Sequence, residues 1–332
     1  IHLTGPSDVP FRDAVRAAGY KGPIYTYVTA YAIEGPGPYK DSSASCNALY
    51  KPYDNNLAWQ TGDFCRYVNP NESWFLHNSA GERIVEDYFG TGRWTYLMNP
   101  ADKGWQEFSY SRMKRIRDEW GYDGIWLDNV DVDLDRGARS ATNSDGRVLE
   151  FASDDVFRGA MAGWLGGLRD RLGDYPVWAN LVGGRLEAGA WDAYAPYLDG
   201  AMDESFAVRW LDGWRSPGEW TAQMQRAQRW LDRGKGLVMV GQGEREDTQR
   251  LRFTLASYML LAGEGATFRY TRFDQYYLGL WLYPEYETAR QLGTPTGACR
   301  ELGDNVWRRD FTGGYVEVDV EGREGRLVVE KP

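Results

Sequence analysis

The sequence predicts an α/β protein, a closed (β/α)8 barrel followed by a small antiparallel β module. Three observations lead to this prediction. The 332 residues are enough for one barrel-sized domain with a large core. Apolar, β-branched runs alternate with helical patterns eight times along the chain, as in a barrel of parallel strands. The last part of the chain changes to a period of two, which is typical of antiparallel hairpins. We therefore assign residues 1–298 to the barrel and 299–332 to the β module.

The first half of the predicted barrel contains four strands and two helices. The strands are Ile1–Thr4, Pro23–Ala32, Arg93–Met98 and Gly124–Asn129. The helices are Asp8–Ala18 and Ala101–Trp120, each with its apolar residues on one stripe. Residues 33–80 are irregular and rich in Gly, Pro, Asn and Ser, and loops of this length in a compact domain usually carry function.

The second half completes the predicted barrel. Its strands are Val177–Val182, Leu198–Met202, Gly236–Val240 and Ala266–Tyr270. Apolar residues at helical spacing mark helices near 157–168, 220–231 and 251–259. In the tail, Val316 and Val318 alternate with acidic residues, and Gly322 separates this run from the next, which predicts a hairpin.

Composition excludes several classes of function. A net charge of −10 makes nucleic acid a poor partner, and no apolar run is long enough to span a membrane. The chain has only two His, His2 and His77, which argues against a Ser-His-Asp triad and against zinc sites with several His. Counting from Asp131, a calcium-loop pattern fails at Arg136, where Gly is needed, and at Thr142, where Glu is needed. We therefore expect neither a metal nor a cofactor, and a cation site outside this loop pattern is the alternative that stays open.

After these exclusions, carboxylates at the ends of predicted strands are the remaining candidates for catalytic groups. Glycosidic cleavage needs two carboxyl groups in different protonation states, and barrel strands hold such pairs at one mouth. Asp128 ends the most apolar strand and is the predicted nucleophile, while Glu204 follows strand six and is the predicted acid/base. A helix cap or ion pair is the alternative for Asp128, and Asp203 or Glu244 are alternatives to Glu204. Asp131 is the second candidate acid near strand four.

A wider set of polar and aromatic residues near the same strand ends is predicted to bind the substrate. With 15 Trp and 22 Tyr, some rings can serve as platforms for sugars, although core packing explains many of them equally well. The predicted binding residues are Tyr27, Trp126, Asn129, Asp131, Trp178, Asn180, Asp203, Trp210, Gln242 and Arg269.

Residues 121–131 (Gly-Tyr-Asp-Gly-Ile-Trp-Leu-Asp-Asn-Val-Asp) resemble the G-[FY]-D-G-[VI]-[FYW]-L-D-N motif of a barrel glycosidase family. These are the hypothetical glycosyl hydrolases related to the endo-α-1,4-polygalactosaminidase group. Residues 72–83 and the run from Met98 to Trp105 are also similar to segments of that family. The resemblance covers about residues 20–275 and implies a (β/α)8 barrel with carboxylates on strands four and six. It places Asp128 by motif, and Glu204 by the similarity of residues 202–206 to a family E-x-F segment.

We therefore predict a glycoside hydrolase that acts on an oligo- or polysaccharide with retention of configuration. Retention places the two carboxyl groups about 5–5.5 Å apart, and inversion about 6.5–9.5 Å apart. The resemblance implies varied polysaccharide substrates, often α-linked, and the acidic stretch after Asn129 is longer than the family loops. Two alternatives stay open: a transglycosidase with the same carboxylates, and a non-catalytic carbohydrate-binding barrel.

Cysteine usage suggests where the protein works. Cys46 and Cys65 lie in one irregular region, whereas Cys299 is far along the chain. A Cys46–Cys65 disulfide in an exported protein is one hypothesis, and two free thiols is the other. No signal peptide is visible in residues 1–20, so a leader of a secreted or extracytoplasmic protein would lie outside this sequence.

Overall fold

The structure is a computed structural model that divides into two compact units. It describes residues 2–3, 5–37, 52–87, 90, 94–183, 186–210, 213–275 and 279–330. The first unit comprises Ile1–Arg185 with Pro196–Asp199, and the second comprises Leu186–Ala195 with Gly200–Pro332. The predicted boundary between residues 298 and 299 stays a prediction.

The first unit combines parallel strands with long helices. Its described strands are β1 (His2–Leu3), β2 (Tyr25–Thr29), β3 (Ala32–Glu34), β4 (Val85–Asp87), β5 (Trp94–Leu97), β6 (Gly124–Asp131) and β7 (Val177–Val182). Its α-helices are α1 (Val9–Ala17), α2 (Lys103–Trp120) and α3 (Asp154–Leu172). Shorter helical turns lie at Pro6–Asp8, Phe64–Val68, Glu72–Trp74 and Arg136–Ser140. Strands β1, β2, β6 and β7 are parallel neighbours in that order, as the predicted strand–helix alternation requires.

The two long helices of this unit begin and end where the sequence signals it. The Asp102 carboxylate accepts a hydrogen bond from the Trp105 backbone N–H at the start of α2, and Gly121 ends that helix in the left-handed region (φ 66°). Helix α3 packs against α2, with the Trp164 indole donating to the Ser109 hydroxyl at 2.9 Å. Because α2 lies between β2 and β6 along the chain and α3 lies between β6 and β7, these helices belong to the crossovers that parallel pairing needs.

One predicted barrel strand was assigned to the wrong sheet. The strand predicted at Arg93–Met98 exists as β5, but it pairs antiparallel with β3 and β4 in a separate three-stranded sheet. The predicted second strand also ends early, at Thr29, and the chain resumes at Ala32 as β3. Strand direction cannot be read from β-branched composition alone, and the irregular segment before β5 contains no long helix signal to act as a crossover.

The second unit holds a parallel and an antiparallel sheet. Its described strands are β8 (Gly200–Asp203), β9 (Gly236–Gln242), β10 (Ala266–Thr271), β11 (Arg300–Gly303), β12 (Val306–Phe311), β13 (Gly314–Asp319) and β14 (Glu324–Val329). Its α-helices are α4 (Pro217–Leu231), α5 (Thr248–Leu261) and α6 (Pro284–Gln291). Strands β8, β9 and β10 are parallel neighbours, and β11 to β14 form an antiparallel sheet in chain order. The predicted C-terminal antiparallel sheet is therefore confirmed, while α6 was not predicted.

The antiparallel sheet lies directly on α5. A Cβ at Gly325 would fall 2.2 Å from the Arg252 carbonyl oxygen, so only glycine permits this close approach. The Arg309 guanidinium donates to the carbonyl oxygens of Leu260 and Ala262 at 3.0 and 2.8 Å, which satisfies acceptors at the C-terminal end of the helix. Within the described residues, no helix is both long enough and apolar enough to cross a membrane.

Candidate active site

Asp128 lies at an irregularity near the C-terminal end of β6. Leu127 pairs with Ala179 and Val130 pairs with Leu181. Between these two pairs β6 advances by three residues, whereas β7 advances by two. This is a β-bulge, and Asn129 within it adopts a left-handed backbone conformation with φ 54°. Bulges redirect side chains at the ends of strands, and this one presents the Asp128 carboxylate beside the neighbouring strands.

Three donors surround the Asp128 carboxylate. Its Oδ1 accepts a hydrogen bond from Asn180 Nδ2 at 3.1 Å, and its Oδ2 accepts one from Asn129 Nδ2 at 2.9 Å and another from the Tyr27 hydroxyl. The side chain is buried. Burial raises the pKa of Asp128, while the bonds from Tyr27 and Asn180 and the charge of Arg136 oppose that increase. The donors and Arg136 therefore offset only part of the effect of burial, and the pKa of Asp128 stays above its ordinary value.

Two stacked indoles occupy the same face of the sheet as this carboxylate. Trp126 and Trp178 stand two residues before Asp128 and Asn180 and are paired across β6 and β7. Their ring centroids are 5.8 Å apart with planes 14° from parallel. The pair therefore forms an apolar layer next to the hydrogen-bonded carboxylate.

A second polar cluster surrounds Arg136. Its Nε lies 3.2 Å from both oxygens of Asp131, and its Nη1 lies 3.1 and 3.3 Å from the two oxygens of Glu86. The guanidinium covers the Tyr31 ring at 4.2 Å, and the Tyr31 hydroxyl donates to Glu86 at 2.8 Å. Burial raises the pKa of Asp131 to about 7 in spite of the arginine. We predicted only Asp131 as a site residue, because no sequence signal connects it to a glutamate in β4.

In the second unit, Glu204 follows β8 directly and is half-buried. Its carbonyl oxygen accepts a hydrogen bond from Gln242 Nε2 at 2.8 Å, which brings together two residues that the sequence predicted for the site. Asp203, the preceding residue, is buried and accepts hydrogen bonds from Arg226 and Gln223. Neither of these two partners was predicted, although both lie at helical spacing on α4.

Two further predicted residues lie in the second unit. Trp210 is 37% exposed, and its ring centroid is 5.8 Å from that of Phe273, which follows β10. Arg269 lies within β10 opposite Val240, and its guanidinium donates to the Gly279 carbonyl oxygen at 3.4 Å. Phe273 is an aromatic partner that sequence analysis missed.

The predicted residues thus form a local cluster in each unit. Tyr27, Asn129 and Asn180 bind Asp128 in the first, and Gln242 binds Glu204 in the second. The pairing of Asp128 with Glu204 stays a prediction. Over the part of the chain that the structure describes, no group of three or more His, Cys, Asp or Glu side chains is arranged to hold a metal ion.

Comparison with known proteins gives a family match over most of the chain. The model of hypothetical glycosyl hydrolase family 15 matches residues 38–315. No curated protein matches the chain in sequence. Among solved structures, the glycoside hydrolase domain of PelA from Pseudomonas aeruginosa is 15% identical, with a TM-score of 0.49 over 84% of this chain and 87% of that one. The α-galactosidase TtGalA from Thermus thermophilus is also 15% identical, with a TM-score of 0.48 over 95% and 55% of the two chains.

Proposed function

The chain belongs to hypothetical glycosyl hydrolase family 15 and is a glycoside hydrolase, and we propose that Asp128 is its nucleophile and Glu204 its general acid and base. The observation that carries this proposal is the Asp128 carboxylate, buried at the end of a parallel strand and hydrogen-bonded by Tyr27, Asn129 and Asn180. A nucleophile needs a fixed direction and a stabilised anionic form, and three donors on one carboxylate supply both.

The proposed reaction proceeds with retention on a closed (β/α)8 barrel. Asp128 attacks the anomeric carbon as Glu204 protonates the departing glycosidic oxygen, which forms a glycosyl-enzyme. Glu204 then removes a proton from water, and that water displaces Asp128 from the sugar. The substrate class that we propose is an oligo- or polysaccharide, with α-linked chains as the first to be tested.

Other residues are proposed to bind the sugar chain. The stacked pair of Trp126 and Trp178 offers an apolar surface on the face that carries Asp128, and Trp210 offers a partly exposed ring. Sugar rings present apolar faces that pack on such rings, while amide and guanidinium groups such as those of Gln242 and Arg269 suit their hydroxyls.

The test is reducing-sugar release from a panel of α- and β-linked polysaccharides. We expect Asp128→Asn and Glu204→Gln each to lower turnover by several orders of magnitude and to leave the circular dichroism spectrum unchanged. The matched controls are Asp118→Asn and Glu119→Gln, which change exposed acids on α2 and should keep full activity. Near-normal turnover in either site variant would overturn the assignment.

Retention has a direct test of its own. A 2-deoxy-2-fluoro glycosyl fluoride of the preferred sugar should accumulate as a covalent adduct on the peptide that contains Asp128, detectable by mass spectrometry. Proton NMR of the first product should show the anomeric configuration of the substrate. A first product of inverted anomeric configuration, with no covalent adduct, would show that the enzyme inverts rather than retains.

We also propose that the enzyme works outside the cytoplasm. Cys65 is disulfide-bonded and Cys299 is free, and disulfides persist mainly in oxidising compartments. The hypothesis that Cys65 pairs with Cys46 falls on a residue outside the described ranges. Peptide mapping of the protein without reductant should recover a cross-linked pair, whereas three alkylated cysteines would contradict the hypothesis.

A further inference from the structure

We propose that Arg226, Gln223 and Arg215 are positioning residues that aim Glu204, and that Asp203 is their anchor. This inference rests on the proposed role of Glu204 as acid and base. It gives Asp203 a different task from the sugar binding that the sequence predicted. It also makes the turn at residues 203–205, rather than Glu204 alone, the unit on which proton transfer depends.

The Asp203 carboxylate is occupied inside its own unit. Its Oδ2 accepts hydrogen bonds from Arg226 Nη2 at 2.7 Å and from Gln223 Nε2 at 2.8 Å, and its Oδ1 accepts one from the Ser205 backbone N–H at 3.3 Å. Asp203 and Arg226 are only 3% and 4% exposed, and Gln223 is fully buried. Turning the carboxylate towards a sugar would break its buried ion pair with Arg226, which is unfavourable.

The backbone of the turn is held by further side chains. Gln242 donates to the Glu204 carbonyl oxygen at 2.8 Å, and Gln223 donates to the Ser205 carbonyl oxygen at 3.1 Å. Arg215 donates to the same Ser205 carbonyl at 2.9 Å and to the Ser205 hydroxyl at 3.1 Å. The Cα–Cβ bond of Glu204 therefore starts from a backbone that is fixed by donors on both sides of it.

We call Arg215, Gln223 and Arg226 the clamp, and further contacts hold two of these side chains in place. The Arg226 guanidinium lies 4.1 Å from the centre of the Trp191 ring, and that ring meets Trp230 edge-on at 5.6 Å and 88°. Helix α4, which carries Arg226 and Gln223, begins with a capping box formed by Ser216 and Glu219. Because Gln223 Oε1 also accepts from the Ala207 backbone N–H at 2.9 Å, the same helix holds the chain after the turn.

A general acid acts only when its proton lies within hydrogen-bond reach of the leaving oxygen, and small displacements are costly. Loss of the clamp should therefore resemble a partial loss of Glu204, with little effect on substrate binding. A structural role alone would instead lower the rate for every substrate by the same factor.

The experiment compares phenyl and 2,4-dinitrophenyl glycosides of the saccharide that the polysaccharide panel identifies. The dinitrophenyl group leaves without protonation, whereas the phenyl group needs the acid. We expect Arg215→Met and Gln223→Met to lower kcat/KM for the phenyl glycoside by up to about 100-fold and nearly to keep kcat/KM for the dinitrophenyl glycoside. This ratio covers the steps up to departure of the leaving group and excludes the later step in which Glu204 acts as base. Arg229→Met, which changes an exposed arginine on the same helix, is the control and should match the wild type on both substrates.

The Glu204→Gln variant distinguishes a failure of the positioning role from a failure of the proposed acid role. If Glu204→Gln shows the leaving-group effect and the clamp variants do not, the positioning role is wrong and the proposed function stands. If Glu204→Gln also lacks the effect, the acid role is wrong and the positioning role falls with it. Should the methionine variants fail to fold, Arg215→Lys and Ser205→Ala test the same contacts, and an equal loss of kcat/KM on both glycosides would overturn the inference.

Discussion

Replacing Tyr27 with Phe tests the electrostatics of the proposed nucleophile most directly. The change removes one donor to Asp128 Oδ2 and leaves the bonds from Asn129 and Asn180 in place. The phenyl ring keeps its position on β2 opposite Trp126. Because the lost hydroxyl stabilises the ionised carboxyl, the pKa of Asp128, which burial already raises, should rise further.

The expected size follows from the strength of the bond. A hydrogen bond to a charged group contributes about 1.5–3 kcal/mol, and about 1.4 kcal/mol corresponds to one pKa unit. The pKa of Asp128 should therefore rise by about 1–2 units in Tyr27→Phe. Since the nucleophile must be ionised, the acidic limb of kcat/KM should move to higher pH by the same amount.

Stability should change with a defined sign. The pKa of Asp128 in the folded protein is above its ordinary value of 3.8, so folding favours the protonated carboxyl. Its contribution to the free energy of unfolding is complete below pH 3.8 and is lost as pH rises through the folded pKa. Tyr27→Phe extends that loss to higher pH, so the variant should differ most from the wild type at neutral pH and least in acid.

The assay is a profile of kcat/KM between about pH 4 and pH 9 on the preferred polysaccharide, with urea unfolding at the same pH values. Tyr25→Phe is the matched control, because Tyr25 lies on the same strand and its hydroxyl interacts with Trp178. An acidic limb that stays in place in Tyr27→Phe, or that moves to lower pH, would refute the reasoning.

Three other predictions concern the surroundings of the site. Asn129→Ala should cost about 1–2 kcal/mol of stability, because asparagine tolerates the left-handed φ of 54° and alanine does not. Asn129→Gly should keep the fold, and urea unfolding compares the two variants. The pKa of His77 is raised, chiefly by its hydrogen bond to Glu150. This pair should therefore stabilise the protein below pH 6.5, and the stabilisation should be lost as pH rises through the folded pKa. Melting curves of His77→Gln should lack this pH dependence. Arg136→Met should lower the free energy of unfolding by about 3 kcal/mol at pH 8. The loss should be smaller at pH 5, because Asp131, with a pKa of about 7, is protonated there. Equal losses at both pH values would contradict this prediction.

The sequence was a good guide where local pattern decides structure. The run from Gly124 to Leu127 is apolar and ends in acids, and it is a buried parallel strand. Helix α2 was predictable because its cap at Asp102 and its glycine at 121 are separated by a regular apolar stripe. Val177–Val182 was predicted with the bounds that the structure has.

Contacts between distant segments escaped prediction for a physical reason. Arg136 binds Glu86 from a strand 50 residues earlier, and nothing in either local sequence encodes that distance. The antiparallel direction of β5 has the same origin, since composition favours a strand without fixing its partner. Arg226 reads from the sequence as an exposed helical arginine, yet it is buried against Asp203. Charged residues that are buried by pairing look like surface residues in a sequence.

Asp131 was predicted as a site residue, but the bulge in β6 changes the face of the sheet on which it lies. Strict alternation from Trp126 puts Asp128 and Val130 on one face and Asp131 on the other. In the structure Asn129 is the extra residue, so Val130 returns to the face of Leu127, and Asp131, opposite Val182, shares the face of Asp128. Both carboxylates therefore point to the same side of the sheet, where Arg136 lowers the pKa of each of them against the effect of burial. One residue in a left-handed conformation thus converts an alternating strand into a strand end that carries two acids on one face.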